Sequence, residues 1–295
     1  MRLPERHVIA GLPFSIVRFE EIDSTNHFLK EWGRHSPENG LVVIADCQTA
    51  GRGRLGRRWE SPRNEGLYFS LLIGPVDPER AAAIPLIAGI ALRDTLAASF
   101  PVLISLLDLK WPNDVLIGGK KVAGILAELE TPPAQAPFVV LGVGVNCNQS
   151  EFPAELPRAT SLRQALGFLV DRSSLVEAFL TTWHGYLTGE VMAALPEGMQ
   201  ESEPRPLGSG LSSESPRLRR EGSEMSLSRV IEDWKQRSSF WNGKIVRLLV
   251  DGNTLEGITC DVAPSGALVV RLRSGEMKEL LAGEVEWIPA ANERE

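Results

Sequence analysis

Two apolar runs of strand length, Leu41-Val-Val-Ile-Ala45 and Gly66-Leu-Tyr-Phe-Ser-Leu-Leu-Ile73, flank the segment Gly51-Arg-Gly-Arg-Leu-Gly56 with Arg57-Arg58-Trp59 behind it. The segment formally matches G-x-G-x-x-G. In a dinucleotide-binding unit such a loop opens directly into a helix whose N-terminus meets a pyrophosphate. Here Ser61-Pro62, Asn64 and Gly66 lead into a strand, so the order is strand–loop–strand and that fold is set aside. A kinase glycine loop also lies between strands, but the chain contains neither H-R-D nor D-F-G.

The loop has Arg52, Arg54, Arg57 and Arg58 close together. Like charges so packed repel unless an anion joins them. The glycines let backbone approach a ligand and keep the empty loop mobile. A solvated basic loop is the plainer reading. Its place after a buried strand, with an aromatic at Trp59, favours a polyphosphate and a stackable base, and arginine binds phosphate in bidentate fashion.

A second polar cluster is Lys110-Trp-Pro-Asn-Asp114, then Val115-Leu-Ile117, Gly118-Gly119 and Lys120-Lys121-Val-Ala-Gly-Ile-Leu126. The glycine pair suits a tight hairpin with positive φ. Asn113 and Asp114 precede a strand, where polar side chains can face a cleft. Strand alternation sends Lys120 and Lys121 to opposite faces, so one can meet solvent while the other meets a site. Gly124 inside an apolar strand marks close approach by a ligand or by protein.

Elsewhere Ser24 or Thr25 can cap a helix carrying Phe28, Leu29 and Trp32. Phe138 to Val145 reads as a buried strand, and Ser174-x-x-Glu177 as a capping box before a stripe of Leu175, Phe179, Leu180, Trp183 and Leu187, the helix stopping near 189–195. Residues 201–223 are rich in Ser, Pro, Gly, Glu and Arg and too poor in apolar groups to offset their ordering entropy, which predicts a disordered insertion. Leu227, Val230, Ile231 and Trp234 mark a short helix. Beyond Phe240 come five short strands, at Lys244–Val250, Leu255–Val262, Ala267–Leu272, Met277–Leu281 and Val285–Ile288, separated by turns such as Asp251-Gly252; they predict a small barrel.

The 295 residues suffice for one sizeable core and a small second domain. A net charge of −7 provides no global basic field, so no nucleic-acid partner is expected. The N-terminus lacks a secretory h-region. The most apolar window, Ala81 to Leu92, is too short to span a bilayer and is interrupted by Pro85, which predicts a buried or interface helix and no membrane partner. Cys47, Cys147 and Cys260 make no metal pattern, and an odd count without a signal points to the cytoplasm.

Asp23-Ser-Thr-Asn26, Gln48-Thr-Ala-Gly-Arg-Gly-Arg54 with Gly56-Arg57 and Trp59, Lys110-Trp-Pro-Asn-Asp114, Lys121-Val-Ala-Gly-Ile-Leu126 and Gly142-Val-Gly-Val-Asn146 occur in that order. Together they resemble the biotin–protein ligases (biotin–[acetyl-CoA-carboxylase] ligases) over roughly 15–190 and again over about 227–289. The resemblance implies an α+β fold: a mixed sheet with flanking helices, as in class II aminoacyl-tRNA synthetases, over 1–239, then an SH3-like barrel over 240–295. It implies ATP-dependent formation of biotinyl-5′-AMP and transfer of biotin to a lysine of a biotin carboxyl carrier protein, with Mg²⁺ accompanying ATP and a homodimer possible. Lys121, Arg52 and Arg54 would be catalytic. Ser24, Thr25, Asn26, Gln48, Gly51, Arg52, Gly53, Arg54, Lys121 and Gly124 would bind biotin. Arg54, Trp59, Lys110, Asn113, Asp114 and Asn146 would bind ATP, with Trp59 covering the adenine; the protein ligand of the metal is unknown, Asp114 being a weak candidate. No helix-turn-helix precedes residue 15, so a repressor role is not expected, and nothing in the family pattern matches 201–223. A lipoate–protein ligase is the nearest rival; an RNA-binding module is a more distant one.

Overall fold

The computed structural model describes residues 5–188, 227–250, 253–280 and 284–288. The expected insertion at 201–223, the helix stop near 189–195 and the turn at Asp251-Gly252 lie outside the described residues. Eight strands form one sheet: β1 (Arg6–Val8), β2 (Ser15–Phe19), β3 (Leu41–Ala45), β4 (Gly66–Ile73), β5 (Leu107–Lys110), β6 (Asp114–Ile117), β7 (Lys120–Glu130) and β8 (Phe138–Asn146). Their order is β1-β2-β3-β4-β8-β7-β6-β5. Only β2 and β3 pair in parallel, and the crossover this requires contains α1 (Thr25–Gly33). The sheet is therefore mixed, as expected.

Both faces are covered, which explains the unbroken apolar runs. Alternation sends Leu41 and Val43 toward α1, where Phe28 and Leu29 close a core with Val17, Leu72, Phe138 and Val140. Val42 and Ile44 face the opposite way, into the larger core with Phe69, α2 (Ile84–Ser99) and α4 (Arg172–Thr188). The apolar window belongs to a longer helical stretch than its composition marked. Pro78–Ser99 runs 22 residues, long and apolar enough to cross a membrane by length and composition, yet 61% of its most apolar window is buried within the protein.

Three features differ from the sequence reading. α4 starts at Arg172, before the expected capping box: Asp171 Oδ1 accepts from the Ser173 backbone N–H at 3.0 Å, taking over the work assigned to Ser174. An aspartate competes well for that position because its carboxylate meets the positive end of the helix. Leu187, placed on the buried stripe, is half exposed at the end of that helix. Strands β1, β2 and β5 and a one-turn helix, α3 (Leu162–Leu166), carry too little periodicity to be read locally and form through their neighbours.

The C-terminal part is a five-stranded antiparallel sheet, the small β domain expected, with strands β9 (Ile245–Val250), β10 (Asn253–Val262), β11 (Leu268–Leu272), β12 (Met277–Leu280) and β13 (Glu284–Trp287) in the order β12-β11-β10-β9-β13. α5 (Leu227–Gln236) precedes it and buries Val230, Ile231 and Trp234. The two sheets meet beside β5 and the segment after it. The buried Trp111 donates its Nε1–H to the Gly266 carbonyl at 2.9 Å, and Ser238 Oγ donates to the Leu109 carbonyl at 2.6 Å. The Lys110–Asp114 segment is thus clamped between the two sheets.

Candidate active site

A cavity of about 1010 Å³ opens between α1, the arginine loop, the β6–β7 hairpin and the last strand of the small sheet. Its floor is made of glycine. Gly124 on β7 lies directly opposite Gly144 on β8, and Trp59 rests on the pair. A Cβ at Gly144 would stand 2.5 Å from Trp59 Cε2, and one at Gly124 would stand 2.9 Å from its Cζ3. The approach that Gly124 implied is thus made by protein, by Trp59 and by the Lys121 side chain. Trp59 therefore lies on the floor of the cavity.

The loop above it is a small hairpin. Arg52 bridges Arg58, the Gly53 N–H donates to the Arg57 carbonyl at 2.8 Å, and the Trp59 N–H donates to the Gly51 carbonyl at 3.0 Å. Its tip turns through left-handed backbone at Leu55 (φ 55°) and Gly56 (φ 74°). Gly51 does not line the cavity. It is buried beneath the loop, where a side chain would collide with the Trp59 carbonyl at 2.4 Å. Its place in the motif is a matter of packing.

Cationic groups converge from three elements. Lys121 Nζ lies 2.6 Å from Asp114 Oδ1 and 5.3 Å from the Trp59 ring centre, while Lys120 is exposed, as alternation required. Lys110 sits deeper, near Asp114, Lys121 and Arg158. Burial holds its amine below the usual lysine range against the opposing pull of Asp114. Arg54 is lowered likewise by burial, and its Nη1 donates to Asn113 Oδ1 at 3.4 Å. Partly buried cations such as Lys110 and Arg54 attract anions more strongly than exposed ones, because the surrounding dielectric is lower.

Asn113 and Asn146 are held in place by backbone. The Asn113 amide donates to the Ile125 carbonyl at 2.6 Å, and the Ile125 N–H donates back to the Asn113 carbonyl at 2.9 Å. Asn146 donates to the Thr160 carbonyl at 3.0 Å, tying the strand end to the 149–160 loop. At the other end of the cavity Ser24 caps α1, its Oγ accepting from the His27 N–H at 3.4 Å. Gln48 Oε1 takes the Thr25 N–H at 2.9 Å. The residues expected around biotin and those expected around ATP, Gly51 excepted, therefore share one continuous cavity.

Sequence reasoning missed several groups. Glu128 on β7 accepts from Asn26 Nδ2 at 2.9 Å and from Lys30 Nζ at 3.0 Å, and lies 3.7 Å from Arg52. Burial raises its pKa, but the hydrogen bonds and charges of Asn26, Lys30 and Arg52 outweigh that and hold it below the ordinary glutamate value. Ser70 stands behind the cavity wall, fully buried, in contact with Thr25 and Asn26. A lone serine in an eight-residue apolar strand was the available signal. Arg158 and Trp287 close the far end, Arg158 donating to the Trp287 carbonyl at 3.3 Å. That pair joins two segments distant in sequence and left no local signal. Among the described residues no group of three or more His, Cys, Asp or Glu side chains could hold a metal ion.

Residues 18–146 match the Biotin/lipoate A/B protein ligase family, and residues 243–287 match the Biotin protein ligase C terminal domain. The chain is 38% identical over 163 residues to the bifunctional ligase/repressor BirA of Bacillus spizizenii, covering 54% of this chain and 49% of the relative. It is 43% identical over 145 residues to the biotin–[acetyl-CoA-carboxylase] ligase of Mycobacterium tuberculosis, covering 48% and 52%. The chain thus spans about half the length of these curated relatives. A solved biotin protein ligase from Aquifex aeolicus, in complex with biotin and ATP, superposes with TM-score 0.68 at 29% identity, over 93% of this chain and 99% of that one.

Proposed function

The chain belongs to the biotin/lipoate A/B protein ligase family, and from that premise we propose that it activates biotin with ATP and passes it to a lysine of a biotin carboxyl carrier protein. The observation that carries the reading is the single cavity that joins a neutral polar end, built on Ser24, Thr25, Asn26 and Gln48, to a cationic end with Lys110, Lys121 and Arg54. A ligand with a neutral hydrogen-bonding ring and an acidic tail fits the first end, with the tail directed at Lys121. A nucleoside triphosphate fits the second. The match of residues 243–287 to the C-terminal domain of biotin protein ligases favours biotin over lipoate.

In this reading a carboxylate oxygen of biotin attacks the α-phosphorus of ATP, pyrophosphate leaves, and a mixed anhydride remains. The acceptor amine then attacks the acyl carbon and AMP departs. The substrates supply both nucleophiles, so the protein's task is to bring two anions together and to stabilise charge developing on the α-phosphate. In this reading Lys121, paired with Asp114, serves both ends, while the loop brings Arg54 beside Asn113 and Arg52 beside Glu128. Lys110, Asn113, Asp114 and Asn146 lie on the nucleotide side. With Trp59 on the floor, between the two ends, it serves the biotin side as well as the adenine. The loop shields the anhydride from water.

Mg²⁺ would arrive with ATP. It is commonly held by phosphates, water and one or two carboxylates, and in this proposal Asp114 would supply one of these once its partner Lys121 turns to the anions. The same proposal divides the chain at 239/240 into a catalytic unit and a C-terminal β domain. It places the protein in the cytoplasm, with no nucleic-acid or membrane partner and with homodimerisation possible. Pyrophosphate exchange into ATP tests it: exchange should depend on biotin and not on lipoate. Equal exchange with lipoate, or none with either acid, refutes the assignment.

A further inference from the structure

A chain of buried hydrogen bonds runs behind the polar end of the cavity, and counting its protons fixes its direction. At one end Glu128 is an acceptor only, so the Asn26 amide must turn its Nδ2 to the carboxylate (2.9 Å) and its Oδ1 inward. That Oδ1 lies 2.5 Å from Ser70 Oγ, which lies 2.7 Å from Thr25 Oγ1. Ser70 has one proton for two contacts. Given to Thr25, it would leave two acceptor oxygens facing each other across 2.5 Å; given to Asn26, both Ser70 contacts are satisfied, provided Thr25 donates its own proton to Ser70, and the contact left without a proton is the longest in the chain, Thr25 Oγ1 to Gln48 Oε1. The longer 3.2 Å separation of Thr25 Oγ1 from Gln48 Oε1, which already takes the Thr25 backbone N–H at 2.9 Å, agrees with that order. Gln48 in turn donates its Nε2–H to Ser61 Oγ at 2.9 Å, and Ser61 donates to the Trp59 carbonyl at 3.1 Å.

The consequence falls on Thr25, which lines the cavity while Ser70 does not. Its proton is committed inward, so what it offers a ligand is lone pairs. We propose that Ser70, oriented by Glu128, is a specificity-setting positioning residue: it makes the Thr25 hydroxyl an acceptor and so selects a carboxylic acid whose ring carries N–H donors. This deepens the reading above and rests on it. The ureido ring of biotin has two N–H groups, whereas the dithiolane ring of lipoate has none. A buried acceptor facing a ring without a donor would be left unsatisfied, the situation in which polar sites discriminate most strongly. The sheet accommodates the device because Ser70 pairs across the strands with Gly142, where any side chain would collide with Asn26 Oδ1.

Ser70→Ala removes the acceptor that holds the Thr25 proton. Ser70→Thr keeps a hydroxyl. Glu128→Gln should leave Oε1 with Lys30 and turn an N–H toward Asn26, flipping that amide and reversing the chain. Wild type and the three variants would be titrated with biotin and with lipoate by calorimetry, and KM and kcat measured by pyrophosphate exchange. The expected result is a loss of biotin affinity of about 10- to 100-fold in Ser70→Ala and Glu128→Gln, the weight of one buried hydrogen bond left unmade. KM for ATP and the weak response to lipoate should stay unchanged, and Ser70→Thr should recover most of the biotin affinity. A general packing defect would instead shift both substrates and the thermal midpoint together. Should Ser70→Ala fail to fold, Glu128→Gln alone decides. Unchanged biotin affinity in Glu128→Gln, or equal loss for biotin and ATP, overturns the inference. A wild type that takes up no biotin sinks the functional reading itself.

Discussion

Replacing Gly144 by alanine asks whether the glycine floor exists to seat Trp59. The new Cβ would meet the indole at 2.5 Å (Cε2), 2.6 Å (Nε1) and 2.9 Å (Cζ2). Carbon atoms rest at about 3.5–4.0 Å, so the ring must rise by about 1 Å. Overpacking of that kind costs about 1–3 kcal/mol. The sheet does not bear it: Gly144 and Gly124 keep their register opposite each other, and alanine is acceptable to a strand backbone. It falls on the loop, whose closure rests on the Arg52–Arg58 bridge, a few backbone bonds and the seat of Trp59. Loop opening should therefore rise about 5- to 150-fold, at a factor of ten per 1.4 kcal/mol. Gly124→Ala is milder, with its nearest contacts at 2.9 and 3.1 Å, one of them to the flexible Lys121 amine. Trypsin reads this directly, because the loop contains four arginines and cleavage follows the open population when reclosing is fast. Cutting between 52 and 58 should accelerate most in Gly144→Ala and less in Gly124→Ala, with thermal midpoints close to wild type. Wild-type cleavage in Gly144→Ala, or the opposite ranking, would refute the idea that Trp59 latches the loop.

Lys121→Met should lower pyrophosphate exchange by about 100-fold or more, as removal of a group facing developing charge does, while the exposed Lys120→Met should stay within about twofold; sensitivity at Lys120 would overturn the hairpin register. Trp111→Phe leaves the buried Gly266 carbonyl without its donor, at a cost of about 1–3 kcal/mol. Urea unfolding should show that loss, and exchange should fall with it; an unchanged midpoint would mean the clamp between the sheets lies elsewhere. Lys110 supplies a pH signature. Its pKa in the free protein is lowered by burial, so the charged form opposes folding below that pKa, and stability from this group is recovered as pH rises through it toward the usual lysine value. An incoming triphosphate reverses the shift, so ATP should bind with proton uptake on the alkaline side. Heats of ATP binding in buffers of different ionisation enthalpy would show it, and Lys110→Met should remove it; an equal uptake in that variant would assign the proton to another group.

What the sequence settled by itself was local or periodic. Leu41–Ala45 and Gly66–Ile73 are apolar runs of strand length, Gly118-Gly119 suits a tight turn with positive φ, and alternation parts Lys120 and Lys121 across a strand. The cationic loop was legible as well, because four arginines among glycines have few other uses. The tertiary structure decided what sequence distance conceals. Gly124 by itself marks a place of close approach and names no partner; the partner is Trp59, brought over it by the loop's own hairpin. Asp171 displaced Ser174 at the start of α4, since capping depends on where the chain enters the helix as well as on residue type. Strands β1, β2 and β5 are specified mainly by the neighbours they pair with. Ser70 and Glu128 had no motif to announce them. The direction of a hydrogen-bond chain exists only when α1, β4 and β7 stand side by side, because a proton shared between a serine and an asparagine 44 residues apart is a property of the packed sheet.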